Sequence, residues 1–227
     1  MLEARNNVIQ YFGLAEVNKE LVLENAKLRT QLAVELQKKT LNPPNRSSFL
    51  KAHQYVYTGA QVINVSANKS IITLNKGFDD SVKKDMGVIS PEGIVGKIRT
   101  VSDHFSTAIT LLHERMLISS KVKNKDIYGS LKWNGKTPRI ASLLYVPRHH
   151  IVNKGDTVVT TQYNGIFPEG VIVGFVRKVS LKSGKGEYDI DITLATDFSA
   201  LSYVYIVENK FKKEVDSLHV SDNKSEH

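Results

Sequence analysis

The sequence predicts a mainly β protein with one long N-terminal α-helix: a coiled-coil stalk followed by two small β-barrel-like domains. Three observations carry that prediction. Residues 6–39 hold one apolar stripe at helical spacing. From Tyr55 onward short apolar-alternating runs follow one another between Gly, Asn, Asp and Pro. Two stretches of those runs repeat. A chain of 227 residues can bury one large core or two small ones, and its 41% apolar and 24% charged fractions are those of a folded protein.

The helix comes first. Leu14, Val17, Leu21, Asn25, Leu28, Leu32 and Leu36 follow at steps of three or four, between positions that are mostly Glu, Lys, Gln, Asn and Arg. A stripe this narrow suits a coiled-coil seam better than the broad face of a globular core helix, so these seven residues are the expected interface of a parallel homodimer. The alternative is one amphipathic helix packed on its own domain. The step pattern averages closer to 11 than to 7 residues, so any supercoil should be slight. Asn25 within the seam would fix register and oligomer state at some loss of stability.

Pro43 and Pro44 end the helical segment, residues 1–42, because neither supplies an amide donor and Pro43 drives Asn42 out of α space. A linker is expected over 43–54, a first β domain over 55–138, a second over 139–208, and a polar, frayed tail over 209–227. Within the second domain Tyr188, Ile190, Ile192 and Leu194 alternate with Glu187, Asp189, Asp191 and Thr193, a half-buried strand with one wet face. No helical pattern of ten residues lies between the runs, which argues against parallel βαβ folds.

The repeat is best aligned by hydrophobic pattern. SVKKDMGVIS (81–90) falls on IVNKGDTVVT (151–160), so Lys84 meets Lys154. GIVGKIRTVS falls on VIVGFVRKVS, so Gly96 meets Gly174, Arg99 meets Arg177 and Ser102 meets Ser180. Both copies carry PEG between these strands, a turn signal. The second loop is longer by seven residues, TQYNGIF. That insertion, with Gln162, Tyr163, Asn164, Ile166 and Phe167, is where the halves differ most and is the expected partner surface.

The net charge of +8 and pI near 9.4 admit an anionic partner: nucleic acid, lipid headgroups or an acidic protein. The Lys residues are scattered and no RNP-like motif occurs, so nucleic acid is not expected. There are no cysteines, which excludes disulfides, thiol catalysis and thiolate metal sites. No run approaches the ~20 apolar residues of a membrane span.

A two-barrel β protein invites a search for Ser, His and Asp in convergence. Asp103, His104, Ser106, His149 and His150 are the available groups. No GDSG-like stretch surrounds a serine, and adjacent Asp103 and His104 are poorly placed to bond one another. His149 and His150, if on a strand, would face opposite ways and share no metal. Asp79 and Asp80 read as turn chemistry. No catalytic residue, cofactor or metal is therefore expected. A chymotrypsin-like serine protease, or a membrane-fusion adaptor with its helical hairpin inserted in a β domain, stands as the alternative.

The strings YFGLAEVNKELVLENAKLR, ITLNKGFDDSVKKDMGVISPEGIVGKIRTVSDHFSTAITLL, VNKGDTVVTTQYNGIFPEGVIVG and DITLATDFSALSYVYIV together resemble the rod shape-determining MreC family, from about Tyr11 to Val207. Their wording is most similar to versions from Bacteroidetes-type bacteria. The resemblance implies a non-enzymatic scaffold at the periplasmic face of the inner membrane, anchored by one helix upstream of the stalk. It implies dimerisation through the helix, further assembly through the β domains, and barrels like those of chymotrypsin without its triad. The implied partners are MreB, MreD and the elongation peptidoglycan synthases, a transpeptidase with its glycosyltransferase.

Overall fold

The computed structural model describes residues 2–39, 54–163, 165–181 and 186–217. The expected linker, all but Gln54, and the tail beyond 217 lie outside the described residues, as does Asn164. The stalk is one uninterrupted helix, α1 (Leu2–Lys39). It begins four residues earlier than the stripe suggests, because Leu, Glu, Ala and Arg at 2–5 all favour helix.

Twelve strands follow: β1 (Tyr55–Val65), β2 (Ile71–Leu74), β3 (Gly87–Ile89), β4 (Ile94–Val101), β5 (Ser106–Thr110), β6 (Leu117–Val122), β7 (Tyr128–Trp133), β8 (Ile140–Leu144), β9 (Thr157–Thr160), β10 (Ile172–Leu181), β11 (Tyr188–Leu194) and β12 (Tyr203–Asn209). They close into two antiparallel barrels, in the orders β1-β12-β3-β4-β5-β2 and β10-β11-β8-β7-β6-β9. Inward side chains such as Leu74, Val88, Ile98 and Ala108 fill barrel 1; Leu131, Leu143, Val158, Ile190 and Ile192 fill barrel 2. The alternation read at 187–194 is therefore real: Ile190, Ile192 and Leu194 point into the core.

The strands divide differently from the expected boundary at 138/139. β6, β7 and the residues up to 138 belong to barrel 2 or its connections, while β12, beyond all of barrel 2, returns to barrel 1 and pairs with β1 and β3. Closure is the physical reason. Residues 55–110 supply only five strands, which leaves an open edge between β1 and β3 that β12 fills.

Neighbour relations map β1–β6 onto β7–β12 in chain order. β4 skips Arg99 in its pairing with β5, between Ile98 and Thr100; β10 skips Arg177 in its pairing with β11, between Val176 and Lys178. A second irregularity sits at Val95 and again at Val173. The turn bonds match as well: Ser90 N–H donates to Gly93 O at 2.7 Å, and Thr160 N–H donates to Val171 O at 2.9 Å. Gly93 is thus the counterpart of Val171, not of Gly170, and the second PEG stands one residue out of step. The repeat boundary falls between β6 and β7. Each repeat builds five strands of its own barrel and gives its sixth to the other.

One glycine pair explains the tight corner of both copies. A Cβ on Gly96 would lie 1.9 Å from Ile109 O, and one on Gly174 would lie 2.2 Å from Thr193 O, distances no side chain tolerates. Both positions sit beside a bulge where the partner backbone passes close.

After β12 the chain does not fray at once. The Asn209 side chain donates to Gly165 O at 2.7 Å and accepts from Phe211 N–H at 3.0 Å, and residues 212–217 are helical. The polar composition there is that of an exposed, capped turn of helix.

Candidate partner-binding surfaces

The stalk has two faces. Val22, Ala26, Arg29, Thr30 and Ala33 turn toward barrel 1, with Ala26 buried and the others half-buried. Thr30 Oγ1 accepts from the Tyr57 N–H at 3.3 Å, and the Arg29 guanidinium lies 4.9 Å from the centre of the Tyr205 ring. The predicted stripe lies elsewhere on the helix: Val17, Leu21, Leu28 and Leu32 are 51%, 47%, 51% and 55% exposed, and Asn25 is exposed beside them. The side chains of Leu14 and Leu36 lie outside the described residues. Helix-on-domain packing and an open apolar seam thus coexist on one helix. The sequence reading held the first only as the alternative, although small residues at 22, 26, 30 and 33 recur at helical spacing too.

The TQYNGIF loop does not act as one surface. Phe167 is buried against barrel 1, its ring over Gly87, while its carbonyl accepts from the Tyr55 hydroxyl at 3.0 Å. Burial, then Tyr57, then the Glu169 carboxylate push the Tyr55 phenol up to about 12. Phe167, expected to meet a partner, instead seals the contact between barrels: a large apolar ring beside an open glycine position gains more from burial than from exposure. Ile166 is half-buried. Gln162 and Tyr163 remain outside, with Tyr163 78% exposed and edge-on to Tyr128 at 5.9 Å. Tyr128 was invisible as a partner of Tyr163 because only barrel closure brings β7 beside this loop.

The catalytic candidates do not converge. His104 Nδ1 pairs with Asp79 at 3.1 Å, both side chains largely exposed. Ser106 is buried and its Oγ makes no hydrogen bond, so no His–Ser link exists there. His149 and His150 sit on a turn, not a strand, with ring centres 4.2 Å apart. Asp80 closes a 3-10 turn at Phe78–Asp80: burial alone would raise its carboxyl, but hydrogen bonds from Lys76 and the Gly77 N–H hold it below its usual range. Among the described residues the long helix is N-terminal, with no helical hairpin inserted in a barrel, and no helix is long and apolar enough to cross a membrane.

A stalk helix joined to two closed six-stranded barrels, with an apolar stripe left open and no assembled triad, defines the class: a stalked two-barrel β protein. Residues 62–208 match the family described as rod shape-determining protein MreC, barrel core. The cell shape-determining protein MreC of Haemophilus influenzae is 31% identical over 184 residues, 80% of this chain and 49% of that one. A solved MreC of Listeria monocytogenes has 24% identity and a TM-score of 0.66, covering 91% of this chain and 96% of that one. A Helicobacter pylori MreC, solved in complex with penicillin-binding protein PBP2, has 20% identity and a TM-score of 0.58, covering 69% and 99%. The chain belongs to the rod shape-determining protein MreC family. It spans about half the length of the relatives it matches.

Proposed function

We propose that this chain is a non-enzymatic scaffold of the bacterial cell-shape and wall-elongation machinery, working at the periplasmic face of the inner membrane. Family membership supports the cell-shape role. The exposed stripe of Val17, Leu21, Leu28 and Leu32 supports assembly, because four large apolar residues in one line on a soluble helix ask for a second apolar surface. A parallel second copy supplies it, with Asn25 against Asn25 setting the register. The barrels then hang outward, each helix held to its own barrel 1 through Ala26 and Thr30.

The partner that the fold relatives favour is a peptidoglycan synthase, since the Helicobacter pylori protein of this fold was solved with PBP2. MreB and MreD fit the same reading through family membership. On the barrels, Gln162, Tyr163 and Tyr128 form the exposed aromatic patch best suited to a protein contact. The test of assembly is sedimentation of the chain and of a Leu21→Glu, Leu28→Glu pair. The native chain should run as a dimer at micromolar concentration and the pair as a monomer with unchanged β signal. A monomeric native chain would remove the stalk from the proposal.

A further inference from the structure

The net charge of +8 has no role in the scaffold reading, and the linings of two adjoining concavities carry a net +4 of it. Two concavities of about 330 and 540 Å³ adjoin at Lys84 and Asp85, and together they are lined by eight basic and four acidic side chains. Three of the basic groups are already matched: Lys83 to Glu208, Lys97 to Asp85 and Lys212 to Asp216, each at 2.7 Å. Among the described residues Lys84, Arg99, Arg115, Lys210 and Lys213 form no ion pair, and Glu114 is the one lining acid left unmatched.

These five cations come from four places: the turn before β3, the bulge of β4, the turn before β6 and the segment after β12. The turn at 83–86 is fixed, because Asp85 N–H donates to Ile98 O at 3.0 Å and Ile98 N–H donates to Met86 O at 2.8 Å. The repeat provides an internal comparison. In barrel 2 the same bonds join Gly155 to Val176 and Val176 to Asp156, both at 2.8 Å. There the left-handed position is Gly155 with φ +91°; in barrel 1 it is Asp85 with φ +67°. Barrel 1 puts aspartate, one of the residues that tolerates this conformation, in place of glycine, and its carboxylate holds Lys97, where barrel 2 has Phe175. Lys84 and Arg99 have basic counterparts in Lys154 and Arg177, whereas the Lys97–Asp85 pair has none.

We propose that this groove binds an extended acidic segment of a partner polypeptide. Cations spread over two joined concavities call for a ligand with several spaced negative charges. All five cations are exposed along the two adjoining concavities, and titration with vesicles separates a chain from a plane of lipid headgroups. The lining holds no Phe, Tyr or Trp on which nucleic-acid bases could stack. Ile109 and Ile166, both half-buried, offer apolar contacts between the charges. The site is separate from the stalk seam and borders the loop of Tyr163 through Gly165 and Ile166.

The test titrates the full chain into a short fluorescein-labelled peptide of alternating glutamate and serine, read by anisotropy. One variant carries Lys84→Glu, Arg99→Glu, Arg115→Glu and Lys213→Glu. A control carries Lys27→Glu, Lys123→Glu, Lys132→Glu and Lys136→Glu, with the same net charge. Affinity should fall at least about tenfold in the first and less than about twofold in the control. Should the first variant melt early, Lys84→Gln with Lys213→Gln serves instead, with an expected loss of about threefold. Equal losses in both charge reversals, no saturable binding by the native chain, or tighter binding to phosphatidylglycerol vesicles or oligothymidylate than to the peptide would each overturn the proposal.

Discussion

Replacing Phe167 with alanine should destabilise the barrels more than any other change in the TQYNGIF loop. The ring is 4% exposed and rests against the Gly87 backbone. A phenylalanine buries roughly 200 Å² of largely apolar surface, which at about 25 cal/mol per Å² sets an upper bound near 5 kcal/mol. Large-to-small core substitutions of this kind lose about 3–5 kcal/mol. The Tyr55 hydroxyl bond ends on the Phe167 carbonyl, which alanine keeps, so the loss is confined to the ring. A melting point lower by about 10 °C follows for a protein of this size. Urea unfolding should show the midpoint shifting with unchanged slope, since β6 and β12 still tie the barrels together. The Tyr163→Ala control, at a side chain 78% exposed, should stay within ~0.5 kcal/mol of the native chain. A loss below about 1 kcal/mol for Phe167→Ala, or equal losses for the two variants, would refute the assignment of Phe167 as the seal between barrels.

Gly96→Ala should lose about 2–3 kcal/mol, because the new methyl meets the Ile109 carbonyl and the strands must part; thermal melts by circular dichroism that match the native curve would show that the bulge relaxes freely. Ser106→Val should stabilise by about 1 kcal/mol, since the Ser106 hydroxyl is buried without a partner at the position where the second repeat carries Ile190; urea midpoints decide it. Burial would raise the Asp156 carboxyl, but the Asn153 N–H at 2.9 Å and Lys125 at 2.6 Å bond it and hold it below its usual range. A carboxyl lowered in the folded state adds stability above its unfolded value near pH ~4 and loses it as pH falls through the folded value. Asp156→Asn should therefore be less stable than the native chain at neutral pH, with the gap closing in acid; a gap constant with pH would count against the pairing.

Much of the fold was written in local pattern. The period of the stalk, the alternation at 187–194 and the pairing of Arg99 with Arg177 in the repeat all depend on neighbours within a few residues, so one sequence suffices to read them. What the sequence left unread depends on closure. Nothing local in SYVYIV says that β12 passes over its own repeat to enter barrel 1, and Leu117–Val122 carries no mark of the barrel it will join. The partner loop was misjudged at Phe167 for the same reason: the groove that receives it is made by Gly87, eighty residues earlier. The basic groove was equally hidden, since its five cations lie between residues 84 and 213 and only the paired register of β3, β4 and β12 brings them to one face.

The crossing strands bear on the proposed scaffold role. Pairing β1 with β12 joins Tyr55 to Asn209 through seven paired residues. Closing a loop of that length takes about 3 kcal/mol more than closing a six-residue hairpin, a cost that rises only with the logarithm of length. The gain is larger than one strand, because β6 in barrel 2 and β12 in barrel 1 leave neither repeat able to close alone. Two barrels joined by a single linker would turn against each other, and surfaces on them would have no fixed spacing. Here two covalent crossings, the Phe167 seal and the Thr196 hydroxyl bonded to Ile94 O at 2.8 Å all resist that turn. The stalk is seated on the same barrel that β12 completes, through Arg29 on Tyr205. Any partner gripping barrel 2 is thereby held at a set distance from the helix, which is the mechanical property a scaffold needs and a pair of loosely tethered domains lacks.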